Sequence, residues 1–156
     1  MKQSIYLETS IISYLTGRTS RDLVTAARQQ LTQEWWETKR TEFKLYVAQP
    51  VLNEAADGDP EAASKRLSVL RKIPMLSVTN EAGRFAAYLV KETPFPENAR
   101  IDALHIALAC MHKMDYILTW NFKHIANASI RSKLEILAES KNMHLPVIST
   151  PEELLF

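Results

Sequence analysis

The sequence lacks several features that would assign it to a common class of protein. It has only three glycines in 156 residues, Gly17, Gly58 and Gly83, and they are too scattered to form a phosphate-binding loop. It has one cysteine, Cys110, so no disulfide can form within the chain. P-loop and Rossmann-type nucleotide sites are therefore set aside, and a reducing compartment suits the chain.

Long apolar runs and an excess of charge are also missing. No segment approaches the roughly 20 apolar residues that cross a bilayer, and Glu8 interrupts the short apolar run at the N-terminus. The 19 basic and 18 acidic residues nearly cancel, so a nucleic-acid substrate would need a local patch or a bound metal ion. We expect one domain, residues 1–156, that is cytoplasmic and has no membrane part.

Short apolar segments alternate with helical patterns along the chain. Five segments are predicted as strands: Ser4–Leu7, Lys44–Gln49, Met75–Thr79, Tyr116–Thr119 and Pro146–Ser149. Near-continuous apolar character is typical of strands buried on both faces of a parallel sheet. We therefore predict an α/β fold with three α/β/α layers and a central parallel sheet of about five short strands.

The predicted helices begin at residues that favour helix starts. Asp59-Pro60 starts one helix, and Asn80 and Asn98 are predicted to cap helices over residues 81–91 and 99–113. A shorter helix is predicted over residues 50–56.

Four polar residues lie near the predicted carboxyl ends of strands or at the starts of helices. Glu8 directly follows the first strand, Glu54 lies early in the helix after the second, and Asn121 lies two residues past the fourth. Asp102 lies in the first turn of the helix that precedes the fourth strand. Because ligands of open parallel sheets bind beyond the carboxyl ends of the strands, we expect these residues to meet at one edge.

This residue set favours a hard divalent cation. Carboxylates that share a cleft repel one another, and Mg²⁺ or Mn²⁺ relieves that repulsion with oxygen ligands. We predict Glu8, Glu54 and Asp102 as the metal ligands and add Asn121 as a fourth catalytic residue. Such an ion can activate a water and stabilise charge on a phosphate under attack.

Each of these residues also has an ordinary structural explanation. Glu8 could be an exposed residue at a strand end, and Glu54 could be a first-turn glutamate favoured by the helix dipole. Asn121 could cap the segment that follows it. Asp102 lies in an almost wholly apolar helix and needs a partner, either a metal or an arginine such as Arg84 or Arg100.

Three neighbouring side chains are also candidates for contacts at the site. Thr119 could hydrogen-bond a carboxylate or its water. His105 lies on the same helical face as Asp102 and could bond near the site, although a satisfied core histidine is the commoner case. For His124 a solvated position is the default expectation.

Four segments together resemble the motifs of PIN domains, and among these the VapC-type toxins of bacterial toxin–antitoxin pairs. They occur in the family's order: Tyr6–Leu15 (YLETSIISYL), Val51–Glu54 (VLNE), Asp102–Ala109 (DALHIALA) and Tyr116–Ile125 (YILTWNFKHI). The resemblance implies a Mg²⁺- or Mn²⁺-dependent endoribonuclease that hydrolyses RNA by a metal-activated water. It also implies frequent homodimers and an antitoxin that binds near the cleft.

Two positions depart from the family pattern. The first acid is usually aspartate and is Glu8 here, and the fourth is often aspartate and is Asn121 here. We therefore expect one metal ion to be held well and a second weakly. Two other hypotheses stay open: a catalytically weak or inactive protein that binds RNA or a protein partner, and a DNA nuclease or small phosphohydrolase with the same metal.

Overall fold

The computed structural model describes all residues from Met1 to Phe156. The strands are β1 (Ser4–Leu7), β2 (Lys44–Ala48), β3 (Met75–Leu76), β4 (Tyr116–Leu118) and β5 (Val147–Ser149). The helices are α1 (Thr9–Thr16), α2 (Leu23–Thr38), α3 (Gln49–Ala55), α4 (Pro60–Leu70), α5 (Asn80–Glu92), α6 (Arg100–Met111) and α7 (Ala128–Ser140). None of these helices combines the length and apolarity needed to span a membrane.

The five strands form one parallel sheet in the order β3-β2-β1-β4-β5. β1 lies in the middle, where Ile5 is paired with Leu45 of β2 and with Tyr116 of β4. The predicted parallel α/β architecture is confirmed. The helices pack in two groups, with α1 in contact with α2, α3 and α4, and α5 in contact with α6. The strand order reverses direction between β1 and β4, which marks the crevice where such sheets bind ligands.

The core is a cluster of 34 buried apolar residues around the central strands. Ile5, Leu7 and Leu118 are fully buried in β1 and β4. Cys110 is also buried, and burial raises the pKa of its thiol to about 12, so it is packed as a small apolar residue. The rigid centre of the fold therefore lies directly beneath the residues that follow β1 and β4.

Two predicted helix caps are wrong. The hydroxyl of Thr79, not the side chain of Asn80, accepts the N–H of Ala82 at 3.1 Å, so the cap of α5 lies one residue earlier. α6 begins at Arg100 after a 3-10 turn over Glu97–Ala99 and has no side-chain cap. Asn98 lies inside this 3-10 turn and not at the start of α6, so its side chain does not cap α6.

Candidate active site

Glu8 occupies the end of β1 and is only 4% exposed. Its Oε1 accepts hydrogen bonds from the hydroxyls of Ser10 at 2.5 Å and Thr119 at 2.6 Å. Its Oε2 accepts the N–H of Ser10 at 3.2 Å, which makes Glu8 the N-cap of α1. The predicted bond from Thr119 to a carboxylate is confirmed, and the explanation of Glu8 as an exposed strand-end residue is wrong.

The charge of Glu8 has no cationic partner in the protein. The chain has one lysine ion pair, between Lys39 and Glu42, and two histidine–carboxylate hydrogen bonds, His105 to Glu54 and His124 to Asp102, and none of these involves Glu8. Hydroxyl and N–H groups lower the cost of burying a carboxylate but leave its charge in place. The site therefore has an uncompensated negative charge at the carboxyl end of β1, the central strand.

Glu54 lies in the last turn of α3, so the prediction that it lies early in its helix is wrong. The negative end of the helix dipole is there, and the explanation by a favourable dipole fails. Its Oε1 accepts the Thr9 hydroxyl at 2.6 Å and Nε2–H of His105 at 2.7 Å. Burial raises the pKa of Glu54, but the interactions with His105 and the hydrogen bond from Thr9 outweigh it and hold the pKa below its ordinary value.

His105 connects Glu54 to Tyr6 inside the core. It is fully buried, and its Nδ1 lies 2.6 Å from the Tyr6 hydroxyl. Burial and then the charges of Glu8 and Glu54 raise the pKa of Tyr6 well above its ordinary value, so the phenol keeps its proton. Because an ionised carboxylate can only accept, Nε2 of His105 carries the proton of its hydrogen bond to Glu54. His105 is thus both a satisfied core residue and a support of the site.

Candidate ligand atoms of Glu8, Glu54 and His105 lie within 4.8 Å of one another. Two of the three predicted metal ligands are therefore brought together at the edge of the sheet. Both ring nitrogens of His105 are engaged in hydrogen bonds, so this histidine orients a carboxylate and is not free to ligate.

Asp102, the third predicted ligand, lies in the first turn of α6 and outside that group. Its Oδ2 is 2.7 Å from Nδ1 of His124, and both side chains are largely buried. The partner of Asp102 in the protein is thus His124, not Arg84 or Arg100. The default expectation of a solvated His124 is wrong.

Asn121 joins the two parts of the site. Its Oδ1 accepts the N–H of His124 at 3.1 Å, so the expected capping role is confirmed. Its own N–H donates to the hydroxyl of Thr119 at 2.9 Å, and Thr119 in turn donates to Glu8. One hydrogen-bonded network therefore connects Glu8 to Asp102 through the loop after β4.

A cavity of about 370 Å³ opens beside Glu54. Its walls include the polar residues Asn53 and Asp57 and the exposed apolar side chains of Val78 and Ile101. Glu54 is therefore accessible from solvent, whereas Glu8 lies at the buried end of the site.

No protein-family model and no curated protein sequence matches the chain. Solved structures do match. Mycobacterium tuberculosis VapC20, a toxin that cleaves the sarcin–ricin loop, aligns with a TM-score of 0.62 and 17% identity over 80% of this chain and 95% of that one. The chain has a VapC-like fold. A second VapC-like match is Rickettsia felis VapBC2 bound to a DNA fragment from its promoter, with a TM-score of 0.59 and 13% identity over 95% of this chain and 98% of that one.

The sequence did not reveal three hydrogen-bonding partners that support the carboxylates of this site. Thr9 bonds Glu54, Tyr6 bonds His105, and His124 bonds Asp102. The available signals were weak: Thr9 adjoins Glu8, and His124 follows Asn121 at the spacing of one turn. Neither spacing identifies a partner that is distant in the chain.

Proposed function

We propose that this chain is a divalent-metal-dependent endoribonuclease of the VapC type, which hydrolyses RNA phosphodiester bonds. The observation that carries the proposal is the buried, uncompensated Glu8 beside Glu54, at the point where the strand order reverses between β1 and β4. A solved structure with this fold belongs to a toxin that cleaves the sarcin–ricin loop, which favours RNA as the substrate.

The residues present fit Mg²⁺ or Mn²⁺. The donors are carboxylate oxygens, and Oε2 of Glu54 and Oδ1 of Asp102 accept no hydrogen bond from the protein. Glu8, Glu54 and Asp102 would hold the ion, directly or through water. When bound, it would supply an activated water and neutralise charge on the attacked phosphate.

The protein's own contribution is to fix these carboxylates before substrate arrives. Ser10 and Thr119 hold Glu8 from two sides, Thr9 and His105 hold Glu54, and His124 holds Asp102. Such supporting hydrogen bonds keep a site within its productive geometry. Asn121 fixes the loop after β4 through its hydrogen bonds with Thr119 and His124.

An aromatic surface beside Asn121 supports a single-stranded substrate. Phe122 is 43% exposed, and the Arg28 guanidinium carbon lies 4.7 Å from its ring centroid and 5.6 Å from that of Trp120. Unpaired bases stack on such aromatic and guanidinium surfaces. The surface would position a looped RNA next to the carboxylates.

We also propose an antitoxin partner that covers the cavity beside Glu54. The Rickettsia match is a VapBC complex, and Val78 and Ile101 expose apolar surface at the cavity wall. A homodimer and a cytoplasmic location belong to the same proposal.

A cleavage assay on single-stranded RNA tests the proposed function. We expect cleavage with Mg²⁺ or Mn²⁺, none after chelation, and a loss of about 100-fold in Asp102→Asn because a ligand charge is removed. Circular dichroism checks that the variant is folded. Equal cleavage by wild type and variant contradicts the proposal. Calorimetry without Mg²⁺ or Mn²⁺ binding at millimolar concentration instead supports a non-catalytic binding protein, and faster cleavage of matched DNA supports a DNA nuclease.

Restoring the fourth acid should strengthen metal binding. In its bond to the loop Asn121 uses only Oδ1, which accepts the N–H of His124. Aspartate at position 121 has the same oxygen, so it keeps the bond and adds one negative charge. We expect Asn121→Asp to bind Mn²⁺ about tenfold more tightly by calorimetry, because affinity follows the number of charged ligands. Asn98→Asp, at an exposed position, is the matched control. Unchanged or weaker binding in Asn121→Asp would show that this position does not face the ion.

A further inference from the structure

A second cavity lies at the amino ends of the strands, opposite the carboxyl ends where the carboxylates lie. It measures about 480 Å³ and adjoins Lys44, the first residue of β2, and Pro74, which precedes β3. These are amino ends of strands, whereas Glu8 and Thr119 follow carboxyl ends. The two sites share no residue.

The walls of this cavity carry positive charge without compensation. Arg40, Lys44 and Lys72 line it, and none of its ten lining residues is acidic. No carboxylate oxygen lies within 4.0 Å of the charged nitrogens of these three side chains. The ion pair of Lys39 with Glu42 and the two histidine–carboxylate pairs of the chain do not include them. Like charges around one cavity repel, and an anion between them would remove that repulsion.

One wall of this cavity is formed by Trp36 and by the Arg40 side chain, which contacts it. The Arg40 guanidinium carbon lies 5.1 Å from the ring centroid of Trp36, and Nη1 donates to the Trp36 carbonyl at 2.6 Å. Tyr46 and Ser68 add hydroxyl groups, and Leu45, Val69 and Ile73 make the floor apolar. The cavity therefore offers a planar, apolar surface next to a cationic one.

We propose that this cavity binds a nucleoside phosphate, either free or as one unit of an RNA strand. The phosphate would lie between Lys44 and Lys72, and the base would pack on the Trp36–Arg40 wall. The volume falls within the range of small-molecule sites, roughly 300–1,000 Å³. A bare inorganic anion would leave the apolar floor unused, and an acidic peptide would leave the planar wall without a matching group. The proposal does not depend on the nuclease function.

The test titrates the full chain, in chelator to prevent any metal-dependent cleavage, with AMP, adenosine, inorganic phosphate and a short single-stranded oligoribonucleotide. Amide NMR signals report the location of binding. We expect AMP to shift the signals of residues 44–46 and 68–73. Adenosine and phosphate should each bind about tenfold more weakly than AMP, because each loses one half of the contacts.

The double variant Lys44→Gln/Lys72→Gln should bind AMP about tenfold more weakly than wild type, because two charge-assisted contacts are lost. Both lysines are exposed, so folding is retained, and Lys133→Gln is the control for loss of an exposed charge on α7. Displacement of AMP by the oligoribonucleotide identifies an RNA strand as the source, and its absence identifies a free nucleotide. The proposal is overturned if neither AMP nor the oligoribonucleotide shifts these signals, or if the double variant binds AMP like wild type.

Discussion

Glu8→Gln will cleave RNA about 100-fold more slowly than wild type at saturating Mg²⁺ or Mn²⁺, because one charged ligand is lost from the buried end of the site. Glutamine keeps one oxygen that can accept the hydroxyls of Ser10 and Thr119, but its amide group replaces Oε2 and cannot accept the N–H of Ser10. The charge is removed while the two short hydrogen bonds are kept. Initial rates on a single-stranded substrate, measured at several metal concentrations, give the size of the effect.

The same substitution separates catalysis from stability. Glu8 is 4% exposed and has no cationic partner, so removing its buried charge should offset the lost cap bond to Ser10 and leave the melting temperature nearly unchanged. Glu139→Gln, at an exposed position on α7, is the matched control and should keep full activity. A Glu8→Gln variant as active as wild type would remove Glu8 from the mechanism.

Leu118→Ala will lower the free energy of unfolding by about 2–5 kcal/mol, since it opens a cavity in the centre of the sheet. Leu118 is fully buried and lies between Leu7 of β1 and Ser149 of β5. Urea unfolding followed by circular dichroism measures the change.

Leu23→Ala is the control for this stability prediction. Leu23 is 85% exposed at the start of α2, so its truncation should change the free energy of unfolding by less than about 0.5 kcal/mol. A loss of similar size in both variants would contradict the placement of Leu118 in the core.

The sheet was predictable from sequence because its strands are apolar on both faces and short. β1 was predicted with its observed bounds, and β4 ends one residue before its predicted end. Helix starts were less predictable where several capping residues are adjacent. Thr79 and Asn80 can both cap a helix, and the choice depends on how the chain leaves β3, which the local sequence does not contain.

For the site, sequence identified residues that follow strands but not their partners. Glu8 and Thr119 each follow a strand, so the parallel sheet brings them together. Asp102 was expected to need a cation, but the choice of His124 over an arginine depends on the path of the loop after β4. Glu54 was placed too early in its helix: in the predicted range 50–56 it is already past the middle, and in α3 (Gln49–Ala55) it is the next-to-last residue.

The central place of β1 has a consequence for when the site can form during synthesis. Thr119, which holds Glu8, lies 111 residues further along the chain. At roughly 5–20 residues per second, a ribosome takes on the order of ten seconds to make that segment. Until β4 has left the exit tunnel, β1 lacks its neighbour on one side and the Glu8 carboxylate lacks its Thr119 donor. A nascent or truncated chain that ends before β4 therefore cannot assemble the network around Glu8, and the site matures only after β4 has been made.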